Sequence, residues 1–192
     1  MKPMASMQKT LFSAVTALLI VGCSSAPTHV ILAPQIIQTP TNTYNTQASL
    51  NVVDMRTSNH IVQISQEGEA ATILSSQQRL EELINSTLSS TWKKQGIGFN
   101  SIASTKIDIT IDKAITSVTQ KTMSYTTQSE LIITVKVANA QQTLTNTFKS
   151  RGNSEGALKA DIAVLERDFN NSLNTLLTQI VNSNDIRNFL AN

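Results

Sequence analysis

The sequence predicts an α+β domain: a two-layer, mainly antiparallel sheet with two amphipathic helices packed on one face. Three observations carry this. Apolar residues recur at helical spacing in two segments, 80–92 and 162–180. They recur at a period of two in segments 107–115 and 131–137. The order is strands, helix, three strands, helix, so one sheet can bury the apolar stripes of both helices.

Taken in order, residues 29–32 and 35–38 predict a first strand broken by Pro34. Proline has no backbone N–H, and an edge strand tolerates that loss. Residues 41–47 predict a loop. Residues 48–56 predict a strand and 60–65 its hairpin partner, with 66–69 as a turn.

Leu80, Leu83, Ile84, Thr87, Leu88, Thr91 and Trp92 define the first helix. Ser75 or Ser76 supplies an N-cap, with Gln78 three residues after Ser75. Lys93 and Lys94 suit the negative end of the helix dipole, and Gly96 stops the helix. Gly96-Ile97-Gly98-Phe99 is read as cap and turn. A phosphate loop would have to precede a helix rather than follow one.

Ile107, Ile109, Ile111 and Ile115 predict one strand face, and Leu131, Ile133, Val135 and Val137 the next. Residues 139–142 predict a turn and 143–150 a third strand, which completes a meander. Two glycines between Arg151 and Gly156 predict a shaped loop leading into the second helix. There, Ile162, Leu165, Phe169, Leu173, Leu176, Leu177 and Ile180 form one face. Asp161, Arg167, Asn171, Asn174 and Gln179 fall outside it. Residues 182–184 end this helix, and a short terminal helix packs back through Ile186, Phe189 and Leu190.

The N-terminal stretch has a different character. Lys2 and Lys9 flank an apolar run from Leu11 to Val21, which is too short to span a bilayer. The run ends in Ile20-Val21-Gly22-Cys23, the pattern of a lipobox, with Cys23 the only cysteine in the chain. The reading is a lipoprotein signal peptide over residues 1–22. Residues 23–47 then hold the lipidated Cys23, a tether and the edge strand, and 48–192 form a single periplasmic domain. Each buried acyl methylene contributes about 0.8 kcal/mol, so several chains on Cys23 hold a protein to a membrane where one does not. Ser24, rather than an aspartate, points to the outer membrane facing the periplasm.

Composition narrows the function further. Once Lys2 and Lys9 leave with the signal, the remaining basic residues equal the 13 acidic ones, and no basic field favours nucleic acid. With Cys23 lipidated, no thiol remains for a disulfide, a thiolate metal site or a nucleophile. His29 and His60 make no His-x-x-x-His or His-Glu pair, so no metal or cofactor is expected. Ser90 and Lys93 have the Ser-x-x-Lys spacing of penicillin-binding enzymes but lack the companion motifs, and a helix face accounts for them. Asp108 and Asp112, four residues apart on a strand, stand about 13 Å apart, too far for joint acid–base work. Two polar groups remain as interaction candidates: Asp54 with Arg56, and Arg151, Asn153 and Glu155. Each also has a plain structural account, as a local ion pair and as a connecting turn.

The chain resembles the YajG-type outer-membrane lipoproteins. The residues behind this are the lipobox ending at Cys23, the proline-interrupted segment 30–38, Val53-Asp54-Met55-Arg56-Thr57 and the helix over 78–96. The Glu155-Gly156-Ala157 stretch and segment 184–190 also fit. The resemblance implies location and topology; the family has no assigned activity and no catalytic residues to carry over. The element order is also similar to that of a lipoprotein of lipopolysaccharide assembly, a likeness of fold alone.

The expected function is a lipid-anchored, non-enzymatic accessory or interaction protein with an envelope protein partner. The alternative is a module binding a small envelope ligand: a lipid, glycan or peptidoglycan fragment. A periplasmic hydrolase has the least support.

Overall fold

The computed structural model describes residues 28–37 and 44–191. The signal peptide, Cys23, most of the tether and residues 41–43 of the expected loop lie outside the described residues.

The order is β1 (His29–Val30), β2 (Thr46–Asp54), β3 (His60–Gln66), β4 (Thr72–Ser76), α1 (Leu80–Lys94), β5 (Ile97–Phe99), β6 (Thr105–Gln120), β7 (Ser124–Ala138), β8 (Thr143–Ala157), α2 (Ile162–Val181) and α3 (Asn184–Ala191). The class is α+β, as expected. The sheet, however, is mixed. β6–β7–β8 form the predicted antiparallel meander, while β2–β6, β3–β6, β2–β5 and β1–β4 are parallel.

The organising element is the 16-residue strand β6. β7 runs along one of its edges. β2 and β3 share the other, end to end: β2 pairs with the first half (Ala48 opposite Thr105, Asp54 opposite Ile111) and β3 with the second (Val62 opposite Thr116, Gln66 opposite Gln120). β2 and β3 are therefore not hairpin partners. The hairpin partner of β3 is β4, across the expected turn at Gly68, whose φ of 77° suits glycine. Because residues 72–76 are strand, Ser75 and Ser76 do not cap α1. Its N-cap is Arg79, which makes no side-chain capping bond.

β6 carries a bulge where its pairing with β7 slips between Ile111 and Lys113. Two residues at a bulge oppose one, so the inward phase shifts. Ile107, Ile109 and Ile111 face the core, and then Ala114, Thr116 and Val118 do. Ile115 was expected on the inner face; the bulge turns it outward.

Both long helices form as the periodicity predicts. Trp92, Leu88 and Ile84 of α1 and Phe169, Leu176, Leu177 and Ile180 of α2 are fully buried, in one core with β6 and β7. Complete burial of such side chains contributes about 1.5–3 kcal/mol each. Asp161 caps α2 by accepting from the Ala163 N–H at 2.9 Å. Ile186, Phe189 and Leu190 of α3 are buried as expected.

Three further expectations change. Gly96 does end α1, with φ at 98°, and a Cβ there would lie 2.1 Å from the Tyr44 carbonyl oxygen. The residues after it are not a turn: they form β5, parallel to β2, with Ile97 buried. Residues 151–156 are not a loop but the second half of β8, in unbroken register with β7 from Arg151 opposite Glu130 to Gly156 opposite Tyr125. Gly156 lets the Tyr125 ring lie across it, since a Cβ would meet that ring at 2.5 Å.

Lastly, among the described residues of the first segment, only His29 and Val30 pair as strand, with β4. Beyond them the chain runs extended along α2 as a strap. The Ile31 N–H donates to Glu166 Oε2 (2.7 Å), the Ala33 N–H to Asn170 Oδ1 (2.9 Å) and the Gln35 N–H to Asn174 Oδ1 (2.8 Å). Every second extended residue advances about 6.6 Å and every fourth helical residue about 6 Å, so the two ladders match. Val30 and Leu32 point the other way, into the core.

Candidate functional site

The two polar groups singled out in the sequence have different fates. Asp54 ends β2 and Arg56 lies in the break before β3, beside the β6 bulge. The Met55 N–H still reaches the Ile111 carbonyl (3.1 Å), but past this point the β2–β3 edge of β6 has no strand partner until Val62. Arg56 fills the gap. Its Nη1 donates to the carbonyls of Ala114 (3.0 Å) and His60 (3.1 Å). Its Nε and Nη2 bind the Asp54 carboxylate at 2.9 and 2.7 Å, and Nη2 reaches the Asn59 carbonyl at 3.5 Å. All five guanidinium N–H groups are thereby used.

The Arg56 side chain is only 6% exposed and that of Asp54 16%. Burial pushes the Asp54 carboxyl up, but the hydrogen bonds and charge of Arg56, helped by the charge of Arg79, outweigh it and hold the carboxyl below its ordinary value. The pair thus splices two strands to one neighbour. Clefts flank it: one of about 300 Å³ with Met55, His60, Lys113 and Ile115, and one of about 470 Å³ with Asn59, Ser76, Arg79 and Glu81.

Arg151, Asn153 and Glu155 lie at alternate positions of β8, so they share one sheet face, and all three are exposed. Arg151 binds Glu130 of β7 at 2.7 Å, and Glu130 also binds Lys113 of β6. The two cations hold the Glu130 carboxyl below the usual carboxylate range. Lys113 also lines the smaller cleft beside Arg56, so β6 connects the two predicted patches without bringing them into contact. Among the described residues Glu155 makes no hydrogen bond or ion pair.

β8 is also an edge. Among the described residues it pairs with β7 alone, along all 15 of its residues. Which backbone groups face outward follows from the ends of the ladder. At one end the Asn139 N–H donates to the Gln142 carbonyl; at the other the Leu158 N–H donates to the Met123 carbonyl. Both bonds use even-numbered residues on the β8 side. In an antiparallel pair the direction alternates, so the N–H and C=O groups of Arg151, Asn153 and Glu155 point to the open edge.

Two structural joints were not anticipated. One is the α2 ladder of Glu166, Asn170 and Asn174, whose four-residue spacing beside the apolar stripe was the available signal. The other is Gln120, buried at the end of β6. Its amide nitrogen donates to the carbonyls of Lys121, Ser124 and Leu158, and its Oε1 accepts from the Ala160 N–H at 2.9 Å. It ties the sheet to the start of α2, beside Leu158 with its left-handed φ of 66°.

The other candidates have local explanations. The Ser90 hydroxyl donates to the Thr87 carbonyl within α1 at 2.9 Å. Asp112 accepts from the Thr134 hydroxyl at 2.7 Å, and Asp108 from Asn51 at 3.4 Å. Among the described residues no cluster of three metal-ligating side chains occurs, and no helix is long and apolar enough to cross a membrane.

Comparison with known proteins agrees with this architecture. A crystal structure of protein XCC0632 from Xanthomonas campestris superposes with a TM-score of 0.56, at 14% identity, over 83% of this chain and 96% of that one. This likeness concerns the fold. In sequence the chain is similar to the uncharacterized lipoprotein YajG of Escherichia coli strain K12 and of strain O6:H1. Each is 21% identical over 178 residues, which is 91% of this chain and 90% of the relative. The model of a family described as uncharacterized lipoprotein matches residues 34–191, from the strap to the end of α3, and the chain belongs to that family.

Proposed function

We propose that this protein is a lipid-anchored, non-enzymatic interaction protein of the outer membrane. It faces the periplasm through Cys23 lipidation and docks another protein chain of the envelope by strand addition to β8. The observation that carries this reading is the open β8 edge, with outward backbone groups at Arg151, Asn153 and Glu155. An exposed edge is a template for a further strand, and main-chain bonds supply affinity there. Membership of a lipoprotein family supports the anchor.

Crosslinking in living cells tests the reading. A photoreactive residue at Lys149, on the edge, is compared with one at Gln179, on the exposed side of α2. Crosslinks to protein from Lys149 that disappear with Cys23→Ser are the expected result. Equal crosslinking from both positions, or none from Lys149, refutes it.

The clefts beside Arg56 favour a second reading, a binder of a small envelope ligand. A ligand retained by the wild type in native mass spectrometry and lost with Met55→Glu would support that instead.

A further inference from the structure

We infer that the strand received by β8 is the β8 of a second copy of this chain, paired antiparallel about Asn153. The inference rests on the docking role proposed above and names its partner.

The sequence Arg151-Gly152-Asn153-Ser154-Glu155 is self-complementary when two copies run in opposite directions. With Asn153 opposite Asn153 of the other copy, each Arg151 faces a Glu155, and each Gly152 faces a Ser154. Two-fold association needs this property: one patch that complements itself. The backbone agrees with the side chains. Arg151, Asn153 and Glu155 are the residues whose N–H and C=O groups point to the open edge, so the Asn153–Asn153 and Arg151–Glu155 pairings are hydrogen-bonded ones.

The side chains are ready for it. Arg151 uses Nε and Nη2 on Glu130 and is 68% exposed, which leaves Nη1 for a carboxylate across the edge. Glu155, exposed and unpaired among the described residues, is that carboxylate. Opposite charges across a strand pair stabilise it, and like charges weaken it. Sliding the centre to Ser150 would set Lys149 against Arg151, so charge disfavours the fully overlapped register. A foreign antiparallel strand would need a base followed four residues later by an acid; this chain carries both in that order.

The test uses the full lipidated chain in its native envelope, where the Cys23 thiol is taken by the acyl chain. Asn153→Cys places one new thiol at the proposed two-fold axis. Opposed residues in such a pair lie about 5.5 Å apart, within the roughly 4.4–6.8 Å that a disulfide spans. Thr147→Cys, on the same face but distant from the axis, is the comparison. The expected result is a covalent dimer from Asn153→Cys and little from Thr147→Cys, after oxidation or a short bis-maleimide.

Charge reversal then tests the pairing itself. Arg151→Glu alone and Glu155→Arg alone should each lower the dimer yield about tenfold, while expressing the two variants together restores it as a mixed dimer. A dimer bridged at 147 and not at 153 overturns the register. An adduct of Asn153→Cys with a protein of another mass overturns self-pairing and leaves the docking role standing. No adduct from any edge position overturns both.

Discussion

Replacing Arg56 by methionine keeps its volume and stem and removes the guanidinium. Four partners then lose the guanidinium: the Asp54 carboxylate and the carbonyls of Asn59, His60 and Ala114. A lost hydrogen bond to a charged group costs about 1.5–3 kcal/mol, and breaking a fully buried ion pair about 3–5. Asp54 retains some exposure, which lets water compensate it in part. We therefore expect a loss of about 3 kcal/mol. For a domain of this size each kcal/mol moves Tm by about 2–4 °C, so melting should fall by roughly 6–12 °C.

The pH dependence identifies the cause. In the wild type the Asp54 carboxyl sits below its ordinary value, so its contribution is present above the usual aspartate pKa. That contribution is lost as pH falls through the lower folded value. In Arg56→Met the guanidinium bonds and charge are gone, and only the residue-56 backbone N–H and the charge of Arg79 still oppose burial, so the Asp54 carboxyl rises relative to the wild type. Acid therefore costs the wild type more stability than the variant, and the gap between them narrows from pH 7 to pH 3. Thermal and urea unfolding of both proteins at a series of pH values measures this. A loss under about 1 kcal/mol at pH 7, or a gap independent of pH, would refute the splice described here.

Three other expectations follow from the same structure. Asn170→Ala with Asn174→Ala removes three strap bonds, those from the Ala33 and Gln35 N–H groups and that to the Ile31 carbonyl, at about 0.5–1.5 kcal/mol each. The domain should stay folded while hydrogen exchange at the Ala33 and Gln35 amides rises at least tenfold. Gly96→Ala should cost at least about 2 kcal/mol, since a left-handed backbone adds to the clash with the Tyr44 carbonyl. Gly68→Ala, with open space around it, should cost only about 1 kcal/mol by chemical denaturation. Gln120→Ala leaves the Ala160 N–H and the Leu158 carbonyl without their partner, at about 1–3 kcal/mol each; an unchanged urea midpoint would exclude that joint.

What the sequence made readable were the elements with an internal period. α1 and α2 announce themselves because one stripe of each meets the core, and β6 and β7 because alternate residues do. What it hid depends on distant partners. Residues 60–66 sit beside 116–120, not beside 46–54, and nothing local in either segment encodes that choice. The second half of β8 has no apolar alternation, because it runs past the core: Gly152 and Ser154, in phase with Leu144 and Phe148, are exposed. Its strand character comes from β7 alone. The bulge was equally silent: Asp112 and Lys113 continue a plausible pattern, and only the pairing with β7 reveals the shifted phase. Of the candidate site, the residue types were readable and their roles were not. Asp54 and Arg56 did form the ion pair anticipated as their structural account, but its work as a splice between strands depends on the remote Ala114 carbonyl.

The strap also defines how the domain answers force. A pull from the N-terminal side reaches His29 and Val30 first and then the bonds at Ile31, Ala33 and Gln35, one for every two residues. Each must open before the next bears load, and each opening adds about 6.6 Å of extended chain. The buried side chains lost on the way are Val30 and Leu32 alone, while α1, α2 and the meander keep their packing. The domain can thus gain reach by measured increments under tension and recover it when the tension ends, a compliance seated in β1 and the strap rather than in the β6–β7–β8 meander.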